Sequence, residues 1–421
     1  MRNPLSVNWL SWLFLALNLF SAYYISIITD FQLWFVLLLA FNIILALVSA
    51  KRINNAVLTI SRVLVGLLFI YSGFVKGVDP LGTQFRIEDY FYVWGTIWAI
   101  PAALGLSIFM NLFEFSLGAL LLTKISAKRI TTLALLMMVF FSLTTIYDAI
   151  YNEVPDCGCF GDALIITNWQ TFYKNLVIDS FVLLLFFRRN DIKLKWPSQL
   201  QTIVISGIVV GFLAFENYNI QHLPVIDFRP WKVGNRLLPE NPKPIKYFLT
   251  YKNTSTGETK EFLSKDLPWQ DSVFMANWKW ESSREDDPNI EEKRTFPMVD
   301  EAGDDWSNDI VKTAGGVLII SIYDITKLKD TDATRLINLY HAVKDSGIEI
   351  VMLNSNATEV YEKYKEMLML PDMELYDSDD TALKAAVRSN PGLIIVKDAV
   401  VLAKYHINDF PEIETIKKIL N

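Results

Sequence analysis

Residues 130–187 read ITTLALLMMVFFSLTTIYDAIYNEVPDCGCFGDALIITNWQTFYKNLVIDSFVLLLFF. Two apolar runs, 130–149 and 171–187, flank a short polar connection. Each comes close to the roughly 20 residues that a helix needs to cross about 30 Å of hydrocarbon. The connection holds both cysteines of the 421-residue chain, in Asp156-Cys157-Gly158-Cys159-Phe160-Gly161-Asp162. A helix, a cysteine-bearing loop and a second helix define the local fold, and the rest of the first half repeats the apolar pattern.

Outward from this stretch, further apolar runs occupy residues 8–26, 31–50, 57–75, 100–123 and 201–217, so the spacing predicts about seven transmembrane helices. The first run is read as a retained helix, because Ser21-Ala22-Tyr23-Tyr24 places bulky rings where a leader-peptide cleavage site needs small side chains. Charge divides the chain in the same way. Residues 1–219 carry 14 Lys/Arg and 12 Asp/Glu, leaving 25 and 34 for residues 220–421, a net charge of 25 − 34 = −9. An apolar membrane half therefore precedes an acidic water-soluble half, whose charge repels nucleic acid and anionic lipid. Three histidines in the whole chain argue against a histidine-rich metal site.

The basic residues Arg2, Lys51-Arg52, Lys124, Lys128, Arg129, Arg188, Arg189, Lys193 and Lys195 fall in alternate connections. By the positive-inside rule this predicts a cytoplasmic N-terminus, an outward-facing cysteine loop and an outward C-terminal half, in a bacterial inner membrane facing the periplasm. The expected organisation is two N-terminal transmembrane helices (1–56), a four-helix membrane domain (57–190), a seventh span (191–218), a linker with a β-hairpin (219–312) and a C-terminal α/β domain (313–421). The hairpin pairs Ile245–Tyr251 with Glu258–Phe262. Beyond it, Gly316–Tyr323 and Ile348–Leu353 read as buried strands, Thr331–Lys344 and Thr358–Met367 as helices. Leu393–Val396 and Val400–Tyr405 form a second hairpin before a last helix, Glu412–Leu420, which gives a mixed sheet.

Cys157 and Cys159 have α-carbons roughly 5.5 to 7 Å apart in many conformations, within or just above disulfide range. So small a ring removes little chain entropy, which makes stapling a weak explanation and a redox role a better one. A structural disulfide, a metal site or inert thiols are the alternatives, and no further metal ligands of the usual type stand nearby. Two membrane carboxyls join the candidate site. Glu114 lies deep in its span and is expected to pair with Arg62 or to handle protons. Asp148, close in sequence to the cysteines, is the nearest acid/base candidate. Arg62, near the inner end of its span, and Lys76, at its outer end, are both expected to snorkel to headgroups. The aromatic stretch Phe85, Ile87, Tyr90, Phe91, Tyr92, Trp94 and Trp98 is expected to anchor in the interface or to wall a quinone pocket.

The run Arg62–Gly66 through Phe69–Gly73, with Lys76, Asp79-Pro80, Tyr90, Glu114, Gly118 and Cys157-Gly158-Cys159-Phe160-Gly161, resembles the DoxX/MauE group of redox-associated membrane proteins over about residues 57–188. Long forms with two extra N-terminal spans and an extracytoplasmic tail look like those common in Bacteroidetes. The resemblance implies a DoxX-like four-helix core and a role in disulfide formation in partner proteins, as MauE is linked to maturing a disulfide-rich methylamine dehydrogenase subunit. It also implies a loose analogy to quinone-linked bundles. The C-terminal end is similar to the thioredoxin fold, with Asn390-Pro391-Gly392 matching its cis-proline segment. Where that fold carries Cys-x-x-Cys, this chain has Asp324-Ile325-Thr326-Lys327-Leu328-Lys329, and the domain therefore lacks redox cysteines.

The expectation is a membrane thiol–disulfide redox or maturation factor using Cys157 and Cys159, with Asp148 and Glu114 as proton handlers, a periplasmic protein as substrate and quinone as the candidate electron acceptor. The alternative is a non-enzymatic assembly or scaffold subunit whose disulfide only shapes a loop.

Overall fold

The computed structural model describes residues 4–154, 158–194, 196–289, 294–344, 346–355 and 373–421, so Asp156, Cys157, Lys195 and the expected helix Thr358–Met367 lie outside the described residues. It consists of two compact units, Met1–Phe228 and Arg229–Asn421. Among the described residues the first unit is built from α1 (Pro4–Ile25), α2 (Leu33–Ser49), α3 (Asn55–Val78), α4 (Pro80–Val93), α5 (Ala103–Thr123), α6 (Ala127–Tyr151), α7 (Asn168–Phe187) and α8 (Ser198–Gln221). Six of the helical stretches are long and apolar enough to cross a membrane, namely Leu33–Arg52, Asn55–Val78, Ile97–Thr123, Ala127–Tyr151, Asn168–Phe187 and Ser198–Gln221, and Trp9–Ile25 is a shorter apolar helix.

Local sequence sets the helix ends. Asn54 caps α3 by accepting from the Val57 amide at 2.8 Å, which satisfies one of the donors a helix start leaves free. Asp79 ends α3 and caps α4, accepting from the Gly82 amide at 3.0 Å, with Pro80 in the first turn where its missing N–H costs nothing. Thr167 and Gln170 close a capping box at the start of α7.

Small residues let α3 and α5 touch. A side chain at Gly118 would fall 2.6 Å from the Gly66 carbonyl oxygen, and one at Gly73 would fall 2.6 Å from the Phe115 amide. Without a hydrophobic drive between helices in lipid, such close backbone approach supplies the association. At the C-terminal end of α3, Gly77 makes room for the Phe212 ring of α8. On the other side, α1 and α2 pack on α7. Ser180 donates to Asn18 at 2.6 Å, the Gln32 amide donates to the Tyr173 hydroxyl at 2.9 Å, and the Phe35 and Tyr173 rings meet edge to face.

Among the described residues the second unit holds two sheets. Strands β1 (Lys246–Asn253), β2 (Thr259–Leu263) and β3 (Trp278–Asp286) form an antiparallel sheet ordered β2-β1-β3, with helix α9 (Ser272–Asn277) leading into β3. After α10 (Ser307–Val311), strand β4 (Val317–Ile322) is followed by α11 (Asp330–Lys344), β5 (Glu349–Asn354), β6 (Glu374–Asp377), α12 (Asp380–Ala386), β7 (Gly392–Lys397), β8 (Val400–His406) and α13 (Ile413–Leu420). The sheet order is β6-β5-β4-β7-β8, parallel from β4 to β6 and antiparallel through β7 and β8. Every residue of β4 is buried, as a continuous apolar strand covered on both faces should be.

Part of the proline-rich segment 219–244 is not the irregular linker its composition suggests. The Gly234 amide donates to Val401 O at 2.8 Å, the Val401 amide to Asn235 O at 3.0 Å and the Leu237 amide to Ala399 O at 2.7 Å. An edge strand offers unpaired backbone groups, and this segment covers them on β8. Prolines punctuate the segment without occupying the residues that pair.

Candidate functional site

The connection between α6 and α7 folds against the bundle at the end where α3 finishes and α7 begins. Gly158 and Gly161 both adopt positive φ (60° and 50°), which glycine alone takes without strain, and the Gly161 amide returns to Gly158 O at 2.9 Å. Cys159 is disulfide-bonded, and Cys157 is the only other cysteine in the chain. The Ser72 hydroxyl of α3 donates to the Cys159 carbonyl at 2.7 Å. A side chain at Gly158 would come within 3.1 Å of Arg86 Cγ, so the stem of this α4 residue lies across the turn. Asn168, first residue of α7, donates to Val154 O at 3.0 Å and anchors the start of the loop.

Phe160 carries the loop into the protein. Its ring is buried, 5.8 Å from that of Tyr71 on α3, and the Lys174 ammonium of α7 stands 4.5 Å over it. Lys174 is half-buried and lies within electrostatic reach of both Glu114 and Lys76. Three charged side chains from α3, α5 and α7 therefore meet beneath the cysteine loop.

Two expectations about these charges are corrected. Glu114 pairs with Lys76, not Arg62, and both side chains are buried. Lys76 does not snorkel, because α8 packs against the adjoining Gly77 and closes that end of α3. Arg62 sits about four turns away and donates to the carbonyls of Leu121 and Leu122 at 2.7 and 2.8 Å. Those carbonyls end α5, where a cation complements the helix dipole.

Asp148 is fully buried where a helix-end aspartate would ordinarily be solvated. The Tyr90 hydroxyl donates to it at 2.5 Å, and its other carboxyl oxygen has no hydrogen-bond partner among the described residues. The aromatic stretch forms α4 and then a short 3-10 segment, Ile97–Ala102. It divides its rings: Tyr90 turns inward to Asp148, whereas Tyr92, Trp94 and Trp98 are exposed, Trp98 at 84%. Cys159 and Phe160 thus adjoin Ser72, Tyr71 and Lys174. Glu114 is connected to the loop through Lys174, and Asp148 sits three residues before the end of α6 under α4.

Sequence reading missed Lys174 and Glu216. Lys174 follows the loop by fifteen residues, and its signal was a lone lysine in an otherwise apolar span. Glu216 lies near the C-terminal end of α8, where the Asn111 side chain donates to it at 3.1 Å.

In the second unit the Asn390–Pro391 peptide is cis, directly before β7. Asn390 forms a reciprocal pair with the backbone of Asp324: its side-chain amide donates to Asp324 O at 2.6 Å, and the Asp324 amide donates back at 3.2 Å. Burial works to raise the Asp324 carboxyl, but donors from Thr326 and Lys327 hold it below its ordinary value. Among the described residues no cluster of His, Cys, Asp and Glu could hold a metal ion.

Residues 54–188, which run from the cap of α3 to the end of α7, match the family model described as "Methylamine utilisation protein MauE". No curated protein and no solved structure matches the chain.

Proposed function

We propose that the protein is a thiol–disulfide redox or disulfide-maturation factor of the bacterial inner membrane, with its cysteine loop and second unit in the periplasm. The observation that carries this reading is the Cys159 disulfide in a glycine-hinged loop against the bundle, one residue from a phenylalanine that touches a half-buried cation. The MauE match over residues 54–188 supports a membrane accessory role.

In the proposed reaction a partner dithiol gives two electrons and two protons to the Cys157–Cys159 disulfide. The partner closes its own disulfide, and the loop becomes a dithiol. The Lys174 and Lys76 charges beneath the loop favour the thiolate over the thiol. Asp148 and Glu114 hold protons during the exchange, each already fixed by one donor, Tyr90 or Lys76. Reoxidation needs an acceptor of two electrons and two protons, and a membrane quinone supplies that chemistry when bound. The residues fit such a ring: Tyr71, 48% exposed, presents an aromatic face against Phe160, and Lys174 offers a hydrogen-bond donor beside it.

A thioredoxin-like second unit is supported by the order β5-β4-β7-β8, by the α11 connection between parallel β4 and β5, and by the cis Asn390–Pro391 peptide ahead of β7. The Asn390–Asp324 pair occupies the place where such a fold carries its cysteines. That pair favours docking of an extended partner over chemistry in this unit. It also sustains a second reading, an assembly subunit with a purely structural disulfide.

Alkylation with a mass tag in cells held under oxidising and reducing conditions tests both. A switching population, and loss of partner oxidation in Cys157→Ser and Cys159→Ser, are expected for the redox factor. A permanently oxidised pair with unaltered partner oxidation in those variants selects the scaffold.

A further inference from the structure

Asn111 and Glu216 are fully buried, at 0% and 1% exposure, and face each other between α5 and α8. The Asn111 side-chain nitrogen is surrounded by acceptors: Glu216 Oε1 at 3.1 Å, Lys76 O at 3.2 Å and Ser107 Oγ at 3.5 Å. This fixes the amide orientation, because a flipped amide would set its oxygen against three oxygens. With the nitrogen so placed, two buried oxygens have no partner among the described residues, Asn111 Oδ1 and Glu216 Oε2. Buried polar atoms are almost always satisfied, so two orphans on one contacting pair need a cause.

We propose that Glu216 and Asn111 bind a proton between them. In an amide–acid pair already joined from Nδ2 to Oε1, a hydrogen on Oε2 donates to Oδ1, and both orphans vanish together. The charged alternative is poorly supported by its surroundings. A desolvated carboxylate needs a cation or several donors, and among the described residues the only hydrogen bond to Glu216 comes from the neutral Asn111 amide. The charged groups on the helices packed against α8 are engaged elsewhere. Lys76 pairs with Glu114, Arg86 with Asp89 at 3.3 Å, and Glu88 accepts from Gln84 at 2.7 Å. The other buried carboxyls with an orphan oxygen, Asp148 and Asp179, each face a hydroxyl, Tyr90 or Ser142, and neither has an orphan acceptor on its partner. Glu216 lies outside residues 54–188, so α8 brings a proton site that the matched segment does not contain. This inference stands whether or not the cysteine loop exchanges disulfides.

The test uses the full chain in lipid nanodiscs. Infrared difference spectra, wild type minus Glu216→Gln, should contain a protonated-carboxyl C=O band that shifts in D2O. Glutamine reproduces the neutral acid, with its amide nitrogen donating to Asn111 Oδ1, so E216Q should keep the wild-type unfolding temperature while Glu216→Ala lowers it. A difference spectrum without that band, or an E216Q unfolding temperature as low as that of E216A, overturns the proposal. So does stabilisation of the wild type by sodium over choline chloride that E216Q abolishes, since a metal cation would then bridge the two oxygens.

Discussion

Removing either partner of the Lys76–Glu114 pair should destabilise the membrane unit, and by unequal amounts. The two side chains keep 8% and 6% of their accessible surface, so each is a desolvated ion whose compensation is the other. Breaking such a pair from one side costs about 3–5 kcal/mol, mostly through the charge left behind. What is left differs between the two variants. Lys76→Met leaves the Glu114 carboxylate with Lys174, a second cation within reach, and should fall near about 3 kcal/mol. Glu114→Gln leaves two ammonium groups with no carboxylate between them and should reach about 5 kcal/mol. Lys76→Met with Glu114→Leu removes both charges and should cost less than either single change, because apolar replacement of a buried pair is often neutral or better. Reversible unfolding of the full chain in mixed micelles, followed by intrinsic tryptophan fluorescence, gives the three values. Single-variant costs that agree within about 0.5 kcal/mol, or a double variant equal to their sum, would refute the three-charge arrangement.

Three further outcomes follow from the same geometry. Gly118→Ala places a methyl group against the Gly66 carbonyl and the Ile70 amide, 2.6 and 2.7 Å away, and should cost about 1–3 kcal/mol in that unfolding assay; Gly105→Ala on the same helix meets nothing within 4 Å and should cost nothing. Tyr90→Phe leaves the buried Asp148 carboxyl without its donor, at a cost of about 1–3 kcal/mol; a neutral result removes Asp148 from the site. The Asp324 carboxyl is held below its ordinary value, so its contribution is present above about pH 4 and is lost as pH falls through the lower folded value. Asp324→Asn should therefore flatten the fall in unfolding temperature as pH drops below about 4, and an unchanged acid slope counts against the Thr326 and Lys327 contacts.

The spans were legible because hydrocarbon sets one demand, length without charge, and the runs at 31–50, 57–75 and 130–149 meet it in sequence alone. The strands β4, β5, β7 and β8 were legible for a related reason, being continuous apolar stretches between turns. What escaped reading depends on which helices are neighbours. Lys76 looked like an interfacial lysine because its position in α3 says nothing of α8, whose Phe212 closes over the adjoining Gly77. Arg62 and Glu114 are opposite charges on neighbouring spans, yet they lie at different depths, and Arg62 meets the end of α5 instead. Helix α4 was obscured because its aromatic residues serve two environments, so no single face of the pattern stands out. Strand β6 has four residues, two of them exposed, too short to show a period.

The charges around the loop can be added by helix. Lys76 on α3, Glu114 on α5 and Lys174 on α7 lie within electrostatic reach of one another, and Glu216 on α8 is a further ionisable group, joined to them through Asn111 and the Lys76 carbonyl. If Glu216 holds a proton, as proposed, it adds no negative charge to the two lysines and one carboxyl, of which Lys174 stands over Phe160, one residue from Cys159. On the proposed redox reading, the dithiol formed when the disulfide opens can lose one proton, and the lysines would favour that thiolate in a medium of low dielectric constant. If Glu216 is ionised instead, its negative charge works against that bias. On the two proposals together, the protonation of one carboxyl on α8 would bias how far the bundle favours the reduced, anionic loop. The two proposals meet in one measurable quantity: Glu216→Gln, which fixes the neutral state, should leave the reduction potential of the cysteine pair unchanged, whereas Lys174→Met should lower it.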